Sequence, residues 1–309
     1  MNTNHDFAPD FFVVGAPKAG TTAVFHWLKS HPDVFLPDVK EPGYFAYAGF
    51  PAEPRNGPYD PDYHARITVN RGDYARLYTA ADDRLKGDVS PVYLVDHSVA
   101  ARIASVRPDA RIIILLRDPV ERAFSQYLHH VRDGLEPAAS FEAALDEEPC
   151  RLRSGWSWGH GYASHGHYAA QIDRYLEAFA RDQILFLDFQ QLNAEPAECW
   201  WKICAHLNIL GTPLLRNNRV NVTSGLASAS DRPTVTRALR HPGRLQRMLK
   251  PLVPQPMRGW IRIWLEGKGK PLPVLRDSSR QRLAAEFNGE LAYITEQTGL
   301  SLCHWSRAR

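Results

Sequence analysis

The stretch Phe11 to Leu28, FFVVGAPKAGTTAVFHWL, constrains this chain more than any other. Phe11, Phe12, Val13 and Val14 form a short apolar run of β-forming residues, the pattern of a strand buried on both faces of a parallel sheet. Gly15, Pro17 and Gly20 break that run. From Thr21 the pattern turns helical, with Ala23, Val24, Trp27 and Leu28 on one face. A strand that turns through a glycine-bearing loop into a helix aims several backbone N–H groups, and the positive end of the helix, at one point. That is a seat for a phosphate.

The loop is close to a nucleotide-triphosphate P-loop but departs from it. That motif reads G-x-x-x-x-G-K-[ST]. Gly15 and Gly20 keep its separation, and Thr22 keeps its magnesium-binding hydroxyl, but Thr21 stands in the lysine position. The lysine has moved into the loop as Lys18. There it can cover a group attached near the first phosphate, and the hydroxyls of Thr21 and Thr22 add to the anion cradle.

The chain has 309 residues and a net charge of +3, too small to indicate a nucleic-acid polyanion as partner. Its length allows one large α/β domain or two small ones, and no linker divides it. Cys150, Cys199, Cys204 and Cys303 lack metal-like C-x-x-C spacing, and no His/Cys/Asp/Glu group has ligand spacing, so no metal is expected. The first ten residues lack the basic and apolar regions of a signal peptide. No run of about 18 apolar residues suggests a membrane span. A cytoplasmic location is the expectation.

Three more strands are legible: 85–90, 111–116 (RIIILL) and 184–188. Helices are expected from Asp73, over His97–Val106, from Pro119 to about Arg132, for a turn or two at Phe141–Glu147, over Tyr168–Phe179 and Glu195–Leu207, and over Asp277–Gln297. Asp118 caps the Pro119 helix, with proline at its first position. The stretches 46–64, 150–166 and 211–272 read as loops inserted on the core, on its substrate side. Strands alternating with helices give an α/β fold with a central parallel sheet flanked by helices. Ligands bind such sheets at the carboxyl ends of the strands, so Lys18 and Arg117 belong on one edge.

The loop P-K-A-G-T-T after an apolar strand resembles the 5′-phosphosulfate loop of the sulfotransferases that use PAPS, 3′-phosphoadenosine 5′-phosphosulfate. The run LLRDPVERAFS resembles their 3′-phosphate motif. The resemblance implies a single P-loop-like, three-layer sulfotransferase domain over 1–309. Ala16, Pro17, Lys18, Ala19, Gly20, Thr21 and Thr22 would bind the 5′ end of PAPS, and of its product PAP. Arg117 and Ser125 would bind the 3′-phosphate. A salt bridge from Arg117 to Asp118 or Glu121 is the bland alternative, and Arg122 reads as a helix-surface charge. Lys40-Glu41-Pro42-Gly43-Tyr44-Phe45 resembles the K-E-x-x-[YF]-F stretch that carries the catalytic glutamate in heparan-type and related bacterial members, so Glu41 is the candidate base. His26, His160, His165 and His167 are its rivals.

Gly87 to Leu94 resembles a further family segment, E-K-[ST]-P-x-Y-[FL]. Val89 stands where the heparan-modifying branch often has an active-site lysine, which points away from a heparan-like acidic substrate. The family's lysine–glycine phosphate loop is missing, and Arg219 with Asn221 would replace it. The implied reaction is sulfonate transfer to a hydroxyl, or less often an amine, of a small-molecule, glycan or lipid-linked acceptor. The aromatic run WSWGHGY suits stacking on a sugar or an aromatic ring, or anchoring a loop. The basic stretch 244–270 can lie on an anionic membrane or pack on its own core. A P-loop kinase and a non-catalytic nucleotide-binding protein are the rival readings. Oligomeric state stays open.

Overall fold

The computed structural model describes residues 7–214 and 272–305. Arg219, Asn221, the 244–270 stretch and most of the 211–272 loop lie outside the described residues. Five parallel strands form one sheet: β1 (Phe11–Gly15), β2 (Val34–Phe35), β3 (Leu85–Val89), β4 (Arg111–Leu116) and β5 (Ile184–Asp188), in the order β2-β3-β1-β4-β5. Phe12 lies opposite Asp88 on one side and Ile112 on the other, and Leu116 lies opposite Asp188. The β1 side chains from Phe11 to Val14 are fully buried, as a central strand requires. The very short strand β2 carries no sequence signal of its own.

The chain leaves β1 toward β2 and later crosses β1 to reach β4. Right-handed crossovers running in opposite directions put their helices on opposite faces of the sheet. Thr21–Lys29 packs beside Pro196–Leu207 on one face, where Trp27 meets Trp200 at 6.3 Å. Val99–Val106, Tyr168–Ala178 and Leu291–Thr298 pack together on the other. The result is a three-layer, P-loop-like α/β fold. The register slips between Val13 and Gly15, so β1 leaves the ladder where the loop begins.

A second apolar cluster lies beyond the carboxyl edge of β4. Val120, Phe124 and Tyr127 from the Pro119–Asp133 helix pack there against Phe141, Leu145, Tyr162, Leu283 and Phe287. This cluster is where the sequence reading needs correction. The helix at Phe141 runs to Arg153, over Pro149, because Ser140 caps it and Arg151 ties its far end to Glu136 and Glu147. The 150–166 stretch is packed structure, not a loop: it contains two 3₁₀ turns, and His160, Tyr162 and His165 are buried. Glu148 accepts the backbone N–H groups of Ala163 and Ser164, which fixes the chain there. Arg122 is also fully buried rather than on the surface; it donates to the Gly161 and Tyr162 carbonyls. The final helix is interrupted: Asp277–Phe287 and Leu291–Thr298 are separated by a 3₁₀ turn at Asn288–Glu290. Within 46–64, Asp60 caps a short helix, Pro61–His64. Cys199 and Cys204 are buried, as small hydrophobes would be.

Candidate active site

The carboxyl edge of the sheet opens into a cavity of about 980 Å³. Pro17, Lys18, Gly20, Thr21 and Thr22 line it from the β1 loop, and Arg117 and Ser125 from the end of β4 and the helix that follows. Ala16 and Ala19 are fully buried and hold the loop from beneath. Ala16 N–H donates to the Leu115 carbonyl, which bonds the loop to the neighbouring strand. Lys18 has φ 68° and Gly20 φ 93°. A Cβ at Gly20 would lie 2.6 Å from Leu192 Cδ2, so the loop has no room for a larger residue there.

Arg117 Nη1 donates to the Lys18 carbonyl at 3.0 Å, so the two candidate anion sites touch. The guanidinium also lies over the Phe189 ring, 4.6 Å from its centre. No carboxylate pairs with Arg117 among the described residues. Asp118 instead caps the following helix through Val120 and Glu121, and Glu121 pairs with Arg280 at 2.7 Å. Burial lowers the Arg117 pKa. Lys18 is pushed down to about 8, chiefly by burial and then by Arg132 and Arg117. Two cations have thus been brought together and partly desolvated with no ion-pair partner among the described residues. Such an arrangement costs free energy until an anion arrives.

Across the cavity, Lys40 Nζ donates to Thr22 Oγ1 at 2.8 Å and to Glu41 Oε1 at 2.9 Å. Glu41, at φ 61°, is thereby tied to the β1 loop. Sequence reading took Lys40 only as the neighbour of Glu41; its bridging role needed the fold.

The rival histidines are placed differently. His26 is exposed on its helix. His165 is buried and held down at about 3 by burial and by Arg122. His167 resists its own burial: hydrogen bonds to Glu290 and Glu286 raise its pKa, and it does not line the cavity. His160 does line it, but its two ring nitrogens face the Ser157 and Leu135 carbonyls at 3.3 and 3.2 Å. Burial lowers its pKa as well. Of these candidates His160 and Glu41 line the cavity, and Glu41 has one carboxylate oxygen, Oε1, held by Lys40.

The segments expected on the substrate side supply part of the remaining lining: Tyr59, Tyr63 and His64 come from 46–64, and Trp158 comes from the WSWGHGY run. Arg66, His129, His130 and Arg132 also line the cavity, and no motif marks those four. His130, Glu136 and His160 bring ligand-type atoms within 4.8 Å of one another, a group that residue spacing did not reveal. Its carboxylate is already engaged: Arg151 lies 3.0 Å from each Glu136 oxygen, and Tyr162 donates its hydroxyl to one of them. The cluster reads as wall structure. The expected strand at 85–90 is β3, beside β1, and it carries the fully buried Asp88.

Comparison with known proteins bears on this geometry. The profile of the family described as "Sulfotransferase domain" matches residues 8–229. Human bifunctional heparan sulfate N-deacetylase/N-sulfotransferase 3 is 28% identical over 308 residues, which cover 98% of this chain and 31% of that protein. Mouse heparan sulfate glucosamine 3-O-sulfotransferase 3B1 is 28% identical over 193 residues, 61% of this chain and 43% of that one. The chain thus spans about a third of the first relative and under half of the second. A sulfotransferase of Alicyclobacillus acidocaldarius superposes with a TM-score of 0.73 at 27% identity, covering 97% of this chain and 99% of that one.

Proposed function

This chain belongs to the PAPS-dependent sulfotransferase family, and from that premise we propose that it transfers the sulfonate of PAPS to a hydroxyl, or less often an amine, of a glycan, glycolipid or secondary-metabolite acceptor. One observation carries the proposal: Lys18 and Arg117 share one cavity, joined by a hydrogen bond from Arg117 to the Lys18 carbonyl, and neither is paired with a carboxylate among the described residues. Two cations and a ring of loop amides suit a nucleotide with phosphate at both ends.

Bound PAPS supplies an activated sulfonate. The acceptor oxygen attacks sulfur as the bond from sulfur to the bridging phosphate oxygen breaks. Glu41 takes the acceptor's proton. Lys18 offsets the negative charge left on the 5′-phosphate of PAP. Arg117 would hold the 3′-phosphate and Ser125 would add a hydroxyl, so both would serve orientation rather than bond cleavage. Gly20, Thr21 and Thr22 complete the 5′ cradle. No metal is needed in this scheme, because lysine and amides cover the developing charge.

On the acceptor side, the relatives' names point to glycans. Val89 is buried, so no cation stands at that position. This favours a less acidic acceptor than heparan sulfate. The exposed free thiols of Cys150 and Cys303 suit a reducing cytoplasm.

Titration calorimetry with PAP, set against ATP–Mg²⁺, tests the cofactor. PAP should bind in the micromolar range; millimolar or absent binding would sink the proposal. A screen with labelled PAPS identifies the acceptor. With that acceptor, Glu41→Gln should nearly abolish turnover, and unchanged turnover would remove Glu41 from the role of base.

A further inference from the structure

Glu41 sits in a tight turn. Its own φ is 61° and that of Gly43 is 67°. A carboxylate on so contorted a backbone keeps its aim only if the turn is held from outside. Two backbone N–H groups just after it are held in this way: Gly43 N–H donates to Ser90 Oγ at 3.2 Å, and Phe45 N–H donates to the Tyr93 hydroxyl oxygen at 3.3 Å. Both hydroxyls then pass their own protons to a single group. Ser90 Oγ–H donates to Asp88 Oδ1 at 2.6 Å, and Tyr93 O–H donates to Asp88 Oδ2 at 2.8 Å. Tyr74 adds a third hydroxyl donor at 2.7 Å, and its ring stacks on Tyr44, 4.5 Å centre to centre.

Asp88 is fully buried at the end of the strand beside β1, and no cation pairs with it among the described residues. Among the described residues, three hydroxyls answer its charge. That matters because a hydroxyl has one proton and can point it only one way. With the proton committed to Asp88, the lone pairs of Ser90 and Tyr93 are left facing the amides of Gly43 and Phe45. Burial pushes Asp88 up to about 6, against the pull of its three hydroxyl donors, and the charge of Glu41 adds to the rise. The two carboxylates are therefore close enough to sense each other.

We infer that Asp88 is a positioning residue for the base: acting through Ser90 and Tyr93, it holds the turn that aims Glu41 at the acceptor. The inference rests on the reading of Glu41 as base. Asp88 touches neither acceptor nor nucleotide in this scheme. Its contribution is to fix the direction of two hydroxyls.

Asp88→Asn tests it, because the side-chain NH₂ can turn one hydroxyl around while keeping the volume. With labelled PAPS and the screened acceptor, kcat should fall about 10- to 100-fold, the range that a misplaced catalytic group costs. The Kd for PAP should stay within about twofold, since Arg117 and the β1 loop are untouched. Hydrogen exchange of the PAP-bound protein should quicken in a peptide spanning Glu41–Tyr47 and stay slow in one spanning Gly15–Thr22. Should Asp88→Asn fail to fold, Ser90→Ala and Tyr93→Phe each cut one tether and Asp88 remains; their losses in kcat should combine in the double variant, and Ser90→Thr should restore most of the rate. In a Glu41→Gln background, Asp88→Asn should subtract nothing further.

A fall in kcat matched by the fall in PAP affinity would overturn the inference, as would normal kcat with quickened exchange, or a further loss on top of Glu41→Gln. If Glu41→Gln itself leaves turnover intact, the base assignment fails. If Glu41→Gln is inactive but Asp88→Asn is not, only the positioning role fails.

Discussion

The β1 loop and the wall built from residues 150–166 line the same cavity and are built on opposite principles. The loop is backbone work. Gly15 and Gly20 permit its path, Ala16 and Ala19 lie buried beneath it, and its binding groups are mostly amides at a helix start. The wall is side-chain work. Tyr162, His130, Glu136 and Arg151 share hydrogen bonds, and Arg151 also lies over the Trp156 ring at 4.7 Å. A loop of the first kind is set by residues a few positions apart. A wall of the second kind exists only once distant segments meet. On the proposed reading, the first binds the nucleotide and the second receives the acceptor, and mutations in each should separate accordingly.

The largest effect is expected in the loop. Lys18→Ala should lower kcat by about 10²- to 10³-fold, the cost of removing one group from a site of developing charge. PAP affinity should drop far less, because the amides and Arg117 remain. Equal losses in rate and affinity would move Lys18 from the leaving group to ground-state binding. Arg117→Ala should do the reverse, weakening PAP by about 10- to 100-fold, as expected for hydrogen bonds to a charged group. Ser125→Ala should cost about tenfold, the low end for a single hydrogen bond to a charged group. Stopped assays and calorimetry on the same preparations separate these outcomes.

The pH dependence sharpens the comparison, because the loop carries Lys18, whose pKa burial lowers to about 8 where the nucleotide would bind. In the free protein Lys18 loses its proton as pH rises through about 8. Below that pH it is charged and ready for an anion; above it the attraction is lost. The kcat/KM for PAPS should therefore fall above pH 8, by up to about tenfold per unit if neutral lysine contributes nothing. Bound nucleotide favours the charged lysine, so the same limb in kcat should lie at higher pH. Lys18→Arg should remove the limb from kcat/KM, since a guanidinium stays charged over this range. A limb that persists in Lys18→Arg would belong to another group.

The same contrast explains what the sequence disclosed. FFVVG, RIIILL and ILFLD are continuous apolar runs ending in loop signals, and they became β1, β4 and β5 nearly residue for residue. Lys18, Arg117 and Ser125 stand out because each lies in a short motif that follows such a strand, and Glu41 because its motif comes soon after the first helix; all four line the cavity. Residues 150–166 misled because their glycines and tryptophans look like an open loop. What packs them is Glu136, Glu148 and His130, and no local pattern records those meetings. Arg122 misled for a related reason. Its helix packs against the 3₁₀ turns within 158–166 on one side and the Asp277–Phe287 helix on another, so a position that helical period leaves polar is nonetheless enclosed.

The smallest effect belongs where the wall is clasped from outside. Asn56 N–H donates to the Gly155 carbonyl at 3.2 Å, and Gly57, at φ 77°, lies against the Trp156 indole. A Cβ at Gly57 would come within 2.3 Å of Trp156 Cδ2. Gly57→Ala therefore meets both a left-handed backbone and an occupied space, and should cost about 1 to 2 kcal/mol of stability. The Trp156 ring must shift, and with it the neighbouring lining residues Ser157 and Trp158. The acceptor KM should rise a few-fold while PAP affinity and its salt dependence stay as they were, because the space beside Gly57 is filled by Trp156 and not by the β1 loop. If PAP affinity moved in step with the acceptor KM, loop and wall would be one mechanical unit, and the separation drawn between them would fail.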